Sequence, residues 1–130
     1  MPKYPTDLKY TKDHEWARKE GDLVRIGVTG FAVEQLGDVT LVDLPKVGDV
    51  VQAHGHFGDI ESVKTVSELF APIAGVVVEV NTALDGSPEL VNEGCYDKGW
   101  MIVLRPSSNV DDHGLMDVVA YEAFLATLDH

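Results

Sequence analysis

Apolar and polar positions along this chain alternate in short runs rather than at long helical intervals. Val24, Ile26 and Val28 alternate with Arg25 and Gly27, the period-two pattern of a half-buried strand. Val76, Val78 and Val80 repeat it, with Glu79 expected on the opposite face. Further strand-like runs lie at Val39–Leu44, Phe57–Val63, Val66–Ala71 and Met101–Leu104, punctuated by Gly and Pro. Two segments break this rhythm and predict short helices. One is 31–36, where Thr29 suits an N-cap and Gly37 a stop. The other is 118–128, where Val118, Val119, Tyr121, Phe124, Leu125 and Leu128 recur at helical spacing behind the N-cap candidate Asp117. Asp111-Asp112-His113, just before it, reads as a loop or a separate short turn.

The strand runs are too short and too closely spaced for crossover helices, which predicts antiparallel pairing. Pro45-Lys-Val-Gly48 and Pro72-Ile-Ala-Gly75 share a turn pattern, each leading into a valine-rich segment. Val50-Val51 before Gly55 likewise parallels Leu90-Val91 before Gly94. The expected fold is therefore mainly β, an antiparallel sandwich or flattened barrel of two quasi-symmetric halves. No linker divides the chain, so 1–130 reads as a single domain.

Charge narrows the partners. Ten Lys and Arg stand against 22 Asp and Glu, a net charge of −12. Such a surface repels nucleic acid phosphates and anionic membranes, and favours a soluble monomer steered towards basic protein faces. No apolar run approaches a membrane span, and the start Met1-Pro2-Lys3-Tyr4-Pro5-Thr6-Asp7 lacks a signal core or transit character. A prokaryotic cytoplasm is expected, or a mitochondrial matrix for a processed mature form. The single Cys95 excludes an internal disulfide and a cysteine metal pair.

The residue that carries candidate chemistry is Lys64, in Gly58-Asp-Ile-Glu-Ser-Val-Lys64-Thr-Val-Ser-Glu-Leu69. Strand-like runs on both sides place it where a hairpin spanning 57–71 reverses. A turn tip leaves an amine accessible to a modifying enzyme, while rigid strands hold its position. His54 and His56, with Asp59 and Glu61 beyond, would share a face of an alternating strand, but no third ligand with a known spacing supports a metal, and none is expected. The chain carries no nucleophile-elbow, P-loop or dinucleotide motif, and nothing around Cys95 marks a catalytic thiol. Trp16 and Trp100 read as core or cleft-wall residues, and His14 as an organiser of the N-terminal segment.

The context of Lys64 resembles the H protein of the glycine cleavage system. The matching blocks are His14-Glu15-Trp16, Gly27-Val-Thr-Gly-Phe-Ala32, Leu36-Gly-Asp-Val39, Glu61-Ser-Val-Lys64, Ser67-Glu-Leu69 and Ala71-Pro-Ile-Ala-Gly75. Asn81, Pro88-Glu-Leu-Val-Asn92 and Gly99-Trp100 complete an ordered series along nearly the whole chain. Gly30, where the family usually has an acidic residue, and Cys95, in place of a common proline, depart from the pattern.

The resemblance implies a lipoyl/biotinyl-domain-like hybrid motif, with lipoic acid in amide linkage on Lys64. It implies a non-catalytic carrier that moves the aminomethyl group of glycine. The partners implied are a pyridoxal-phosphate-dependent glycine decarboxylase, a tetrahydrofolate-dependent aminomethyltransferase, dihydrolipoyl dehydrogenase and lipoate-attaching enzymes. Glu15, Ser67 and Glu68 are implied as walls of a cleft that shelters the loaded arm. Val63 and Thr65 beside the lysine differ from the methionines usual in biotin domains, and the Asp-Lys pair of 2-oxo acid dehydrogenase lipoyl domains is missing. Two alternatives stay open: a lipoate relay serving other carriers, and an interaction domain with an unmodified lysine.

Overall fold

The computed structural model describes residues 4–107 and 115–128; the expected loop at Asp111-Asp112-His113 lies outside them. Nine strands and four short helices follow in the order β1 (Lys9–Tyr10), β2 (Glu15–Glu20), β3 (Leu23–Val28), α1 (Gly30–Leu36), β4 (Val39–Asp43), β5 (Val50–Val51), β6 (His56–Ser62), β7 (Val66–Phe70), β8 (Gly75–Val80), α2 (Ala83–Gly86), α3 (Leu90–Gly94), β9 (Ile102–Pro106) and α4 (Val118–Thr127) among the described residues. They form a six-stranded sheet, β1-β2-β3-β9-β8-β5, and a three-stranded sheet, β4-β6-β7, antiparallel throughout. Among the described residues no helix is long and apolar enough to cross a membrane.

Local chemistry sets the two longer helices, α1 and α4, where the sequence places them. The Thr29 hydroxyl accepts the N–H of Ala32 to start α1, and Gly37, at φ 76°, ends it. The Asp117 carboxylate accepts the N–H of Ala120 to start α4. Each cap satisfies a donor that the first helical turn leaves without a backbone partner.

The alternation in β3 holds, with Val24, Ile26 and Val28 all buried. In β8 it does not. Val77 is the buried valine, Val76 is exposed, and a register shift between Val77 and Glu79 turns the remainder of the strand. A β-bulge adds a residue that period-two reasoning does not count. The two segments that follow the repeated Pro-x-x-Gly turns pair with each other, Val50 opposite Val76 and Val51 opposite Gly75. The second repeat is not structural, because Val50-Val51 is a strand and Leu90–Gly94 a helix.

Two apolar clusters support the sheets. The larger joins both sheets through residues such as Ile26, Val42, Ile60, Leu69 and Ile73. The smaller is aromatic, built on Tyr4, Tyr10, Trp16 and Tyr121, and α4 packs on it through Val118, Phe124 and Leu125. Val119 lies off this stripe and is 71% exposed. Trp16 sits opposite Gly27 in the β2–β3 register and fills the space that a Cβ on Gly27 would occupy.

Candidate cofactor-attachment hairpin and its cleft

Lys64 is exposed at the reversal between β6 and β7, whose last paired residues are Glu61 and Val66. Ser62 organises the turn. Its N–H donates to the Thr65 carbonyl at 2.8 Å, and its Oγ accepts the N–H groups of Lys64 and Thr65, each at 3.2 Å. A side-chain oxygen that gathers turn N–H groups in this way replaces the pairing lost at the end of the ladder.

A second brace comes from outside the hairpin. The Val63 N–H donates to the Asp38 carbonyl at 3.1 Å, tying the tip to the corner between α1 and β4. The Asn92 amide clamps that corner: its Oδ1 accepts from Val39 N at 2.9 Å and its Nδ2 donates to Gly37 O at 2.8 Å. The stem of Lys64 then crosses Gly37, where a Cβ would stand 3.5 Å from the lysine Cε.

Beside the hairpin lies a cleft of about 180 Å³, with Glu15, Thr65, Ser67 and Glu68 on its walls and Leu36 and Leu69 among its apolar lining. The structure thus brings Glu15, Ser67 and Glu68 to one cavity next to Lys64. Ser67 and Glu68 are exposed on β7, whereas Glu15 is only 1% exposed. Its Oε2 accepts the Phe70 N–H at 3.1 Å, joining the six-stranded sheet to the three-stranded one. The Thr11 hydroxyl donates to Oε1 at 3.1 Å. Burial pushes the Glu15 carboxyl up to about 8, against the opposing pull of the Phe70 and Thr11 hydrogen bonds. That shift favours the protonated carboxyl near neutral pH.

Several residues of the site carried no sequence signal of their role. Thr11 and Asn92 act through pairings that only the tertiary fold creates. His14 also lines the cleft, with a left-handed backbone at φ 66°. Its ring meets Tyr121, 107 positions away, through Nδ1 and the phenol oxygen at 2.9 Å.

The two histidines considered for a metal do not share a strand face. His54 lies ahead of β6 in a turn with φ 62°, and only His56 belongs to the strand. His56 Nε2 instead pairs with Asp59 at 2.9 Å, and Glu68 completes a surface group whose ligand atoms lie within 4.8 Å of one another. Cys95 is buried, its thiol pushed up to about 11 by desolvation, so it is a poor nucleophile. Its carbonyl accepts the Trp16 Nε1–H at 3.0 Å, and Trp16 is a core residue. Gly30, the other departure from the family pattern, donates its N–H to the Tyr96 hydroxyl at 2.7 Å.

Comparison with known proteins gives one answer. Residues 8–128 match the family described as Glycine cleavage H-protein. The glycine cleavage system H protein of Anaeromyxobacter sp. (strain K) is 54% identical over 121 residues, which cover 93% of this chain and 94% of that one. The namesake from Halalkalibacterium halodurans is 52% identical over 126 residues, covering 97% and 98%. The crystal structure of a glycine cleavage system H protein from Mycobacterium marinum superposes with a TM-score of 0.87 at 40% identity, covering 94% of this chain and 98% of its own. The chain belongs to the glycine cleavage H-protein family.

Proposed function

We propose that the chain works as one lipoyl-carrier domain of glycine cleavage, with lipoic acid joined to Lys64 by an amide bond and no catalytic step of its own. The observation that carries this reading is an exposed lysine at the tip of a doubly braced hairpin, next to a cleft with a buried carboxyl. When attached, the lipoyl group supplies a dithiolane that receives the aminomethyl group of glycine. The partners of such a carrier would be a pyridoxal-phosphate-dependent glycine decarboxylase, a tetrahydrofolate-dependent aminomethyltransferase and dihydrolipoyl dehydrogenase. All the rest falls to the residues of this chain.

The site fits such a group. The amine is exposed to a lipoate-attaching enzyme, and amide formation removes its charge. Gly37 leaves the lysine stem room to pass over the end of α1. The apolar lining given by Leu36 and Leu69 suits a hydrocarbon chain. Tethering keeps the cargo at high local concentration wherever the carrier docks. An aminomethyl group on sulfur is cleaved by water, so its retention between enzymes requires shelter.

Glu15 is the group in the cleft suited to hold the cargo's ammonium. With no cation present, burial keeps its proton on; an entering ammonium favours the ionised form and a charge-assisted hydrogen bond. Ser67 and Glu68, from β7, belong to the same lining, with the Glu68 carboxylate standing beside His56 and Asp59.

Reconstitution tests the reading. With glycine decarboxylase and glycine, the lipoylated protein should support release of carbon dioxide in proportion to its amount, and Lys64→Arg should reduce release to background. Equal release with the arginine variant would overturn the assignment. A lipoate relay outside glycine breakdown would accept lipoate yet support no decarboxylation.

A further inference from the structure

Two of the elements that line the cleft are joined by a buried hydroxyl on the C-terminal helix. Tyr121 is fully buried, its ring stacked on Tyr10 with centroids 4.5 Å apart and 6° between planes. Its hydroxyl contacts His14 Nδ1 at 2.9 Å and Thr29 Oγ1 at 2.8 Å. We propose that Tyr121 is a positioning residue for the arm cleft, its hydroxyl fixing at once the β2 wall that carries Glu15 and the helix that ends under Lys64. The inference rests on the carrier reading above.

Each connection is short. His14 precedes Glu15, holds a left-handed backbone that few residues other than glycine adopt, and lines the cleft itself. Thr29 caps α1 by accepting from Ala32 N, and its own N–H donates to the His14 carbonyl at 2.9 Å. Helix α1 brings Ala32, Gln35 and Leu36 to the cleft and ends at Gly37 beneath the lysine stem. One donor order satisfies all three contacts. Ala32 N–H donates to Thr29 Oγ1, the Thr29 hydroxyl to Tyr121, and the Tyr121 hydroxyl to His14 Nδ1. That order requires a neutral imidazole with its proton on Nε2, and burial lowers the pKa of His14 in the same sense.

Tyr121→Phe deletes the joint and leaves the stacked ring. Tyr10→Phe is the matched control, because it removes a hydroxyl from the same aromatic cluster that donates to the Pro5 carbonyl and not to the cleft. The full-length protein is lipoylated, loaded with the aminomethyl group by glycine decarboxylase, separated from it, and followed by ammonia release. Loss of the two buried hydrogen bonds that hold the shelter, one to each wall, should speed release by at least about fivefold in Tyr121→Phe, with Tyr10→Phe at the wild-type rate. A second readout needs no arm. In unmodified protein the His14 ring 15N shifts should report an unprotonated Nδ1 in wild type and Tyr10→Phe, and a mixture of tautomers in Tyr121→Phe.

Glu15→Ala separates the two levels of the argument. If it speeds release while Tyr121→Phe matches Tyr10→Phe, the positioning role falls and the sheltering cleft stands. If neither Glu15→Ala nor Tyr121→Phe changes release, the shelter itself falls and takes the inference with it. Unaltered His14 shifts in Tyr121→Phe would also overturn the proposal.

Discussion

The stem of Lys64 lies across Gly37, the residue that ends helix α1, at a distance that leaves room for one further carbon. Gly37 has φ 76° and ψ −147°, a backbone region that residues with a Cβ adopt at a cost of about 1–3 kcal/mol. An added methyl meets the lysine Cε at 3.5 Å, an ordinary contact. Gly37→Ala should therefore lower stability by that amount in urea unfolding and change the rate of lipoate attachment to the folded protein by less than about twofold. A large loss of attachment at full stability would show that contact, not backbone, decides the effect.

Glu15 links stability to pH in the direction unusual for a carboxylate. Its folded pKa is raised from 4.5 to about 8, so between those values the native state holds a proton that the unfolded chain has lost. The contribution is complete below about pH 4.5 and disappears as pH rises through about 8. Glu15→Gln removes the titrating proton and keeps an oxygen that can accept from Phe70 N. Between pH 5 and pH 9 the melting temperature of the wild type should fall by on the order of 10 °C more than that of Glu15→Gln. Parallel curves would contradict the buried proton.

Gly27 is needed because of what stands opposite it. A Cβ there would meet Trp16 Cζ2 at 2.7 Å and Nε1 at 2.9 Å. The indole cannot yield readily, being fully buried and hydrogen-bonded to the Cys95 carbonyl. Overpacking of this kind costs about 1–3 kcal/mol, so Gly27→Ala should lower the urea midpoint accordingly. A neutral result would mean that the β2–β3 pair shifts without strain.

Asn92→Ala removes both hydrogen bonds of the clamp on the α1–β4 corner. The loss should be about 1–3 kcal/mol, from two backbone groups left without that partner. Because Val63 N–H donates to Asp38 O at the same corner, its hydrogen exchange should accelerate more than that of Ile60 in the body of β6. Uniform acceleration would mean that the clamp serves the whole fold rather than the hairpin tip.

What the sequence made legible were features decided within a few residues. Thr29 and Asp117 cap helices by local hydrogen bonds, β3 alternates cleanly, and the reversal at Lys64 follows from strand signals on both sides. What it hid depends on distant partners. The faces of β8 were misread because a bulge resets the period after Val77. Thr11 and Phe70 explain how a glutamate becomes one of the most buried side chains, yet Phe70 lies 55 positions from it. His14 and Tyr121 meet across 107 positions, and Val119, apparently part of the apolar stripe of α4, faces solvent. The family likeness pointed to Glu15, Ser67 and Glu68 together; composition and periodicity alone offered no reason to group them.

The central claim concerns one amine, and intact-mass measurement addresses it most directly. The protein is incubated with lipoate, ATP and a lipoate ligase, alongside Lys64→Arg. The account predicts a mass gain of a single lipoyl group, placed on Lys64 by peptide mapping, and no gain in the variant. A wild-type protein that stays unmodified under a ligase shown to act on another carrier, or a lipoyl group found on a different lysine, would contradict it.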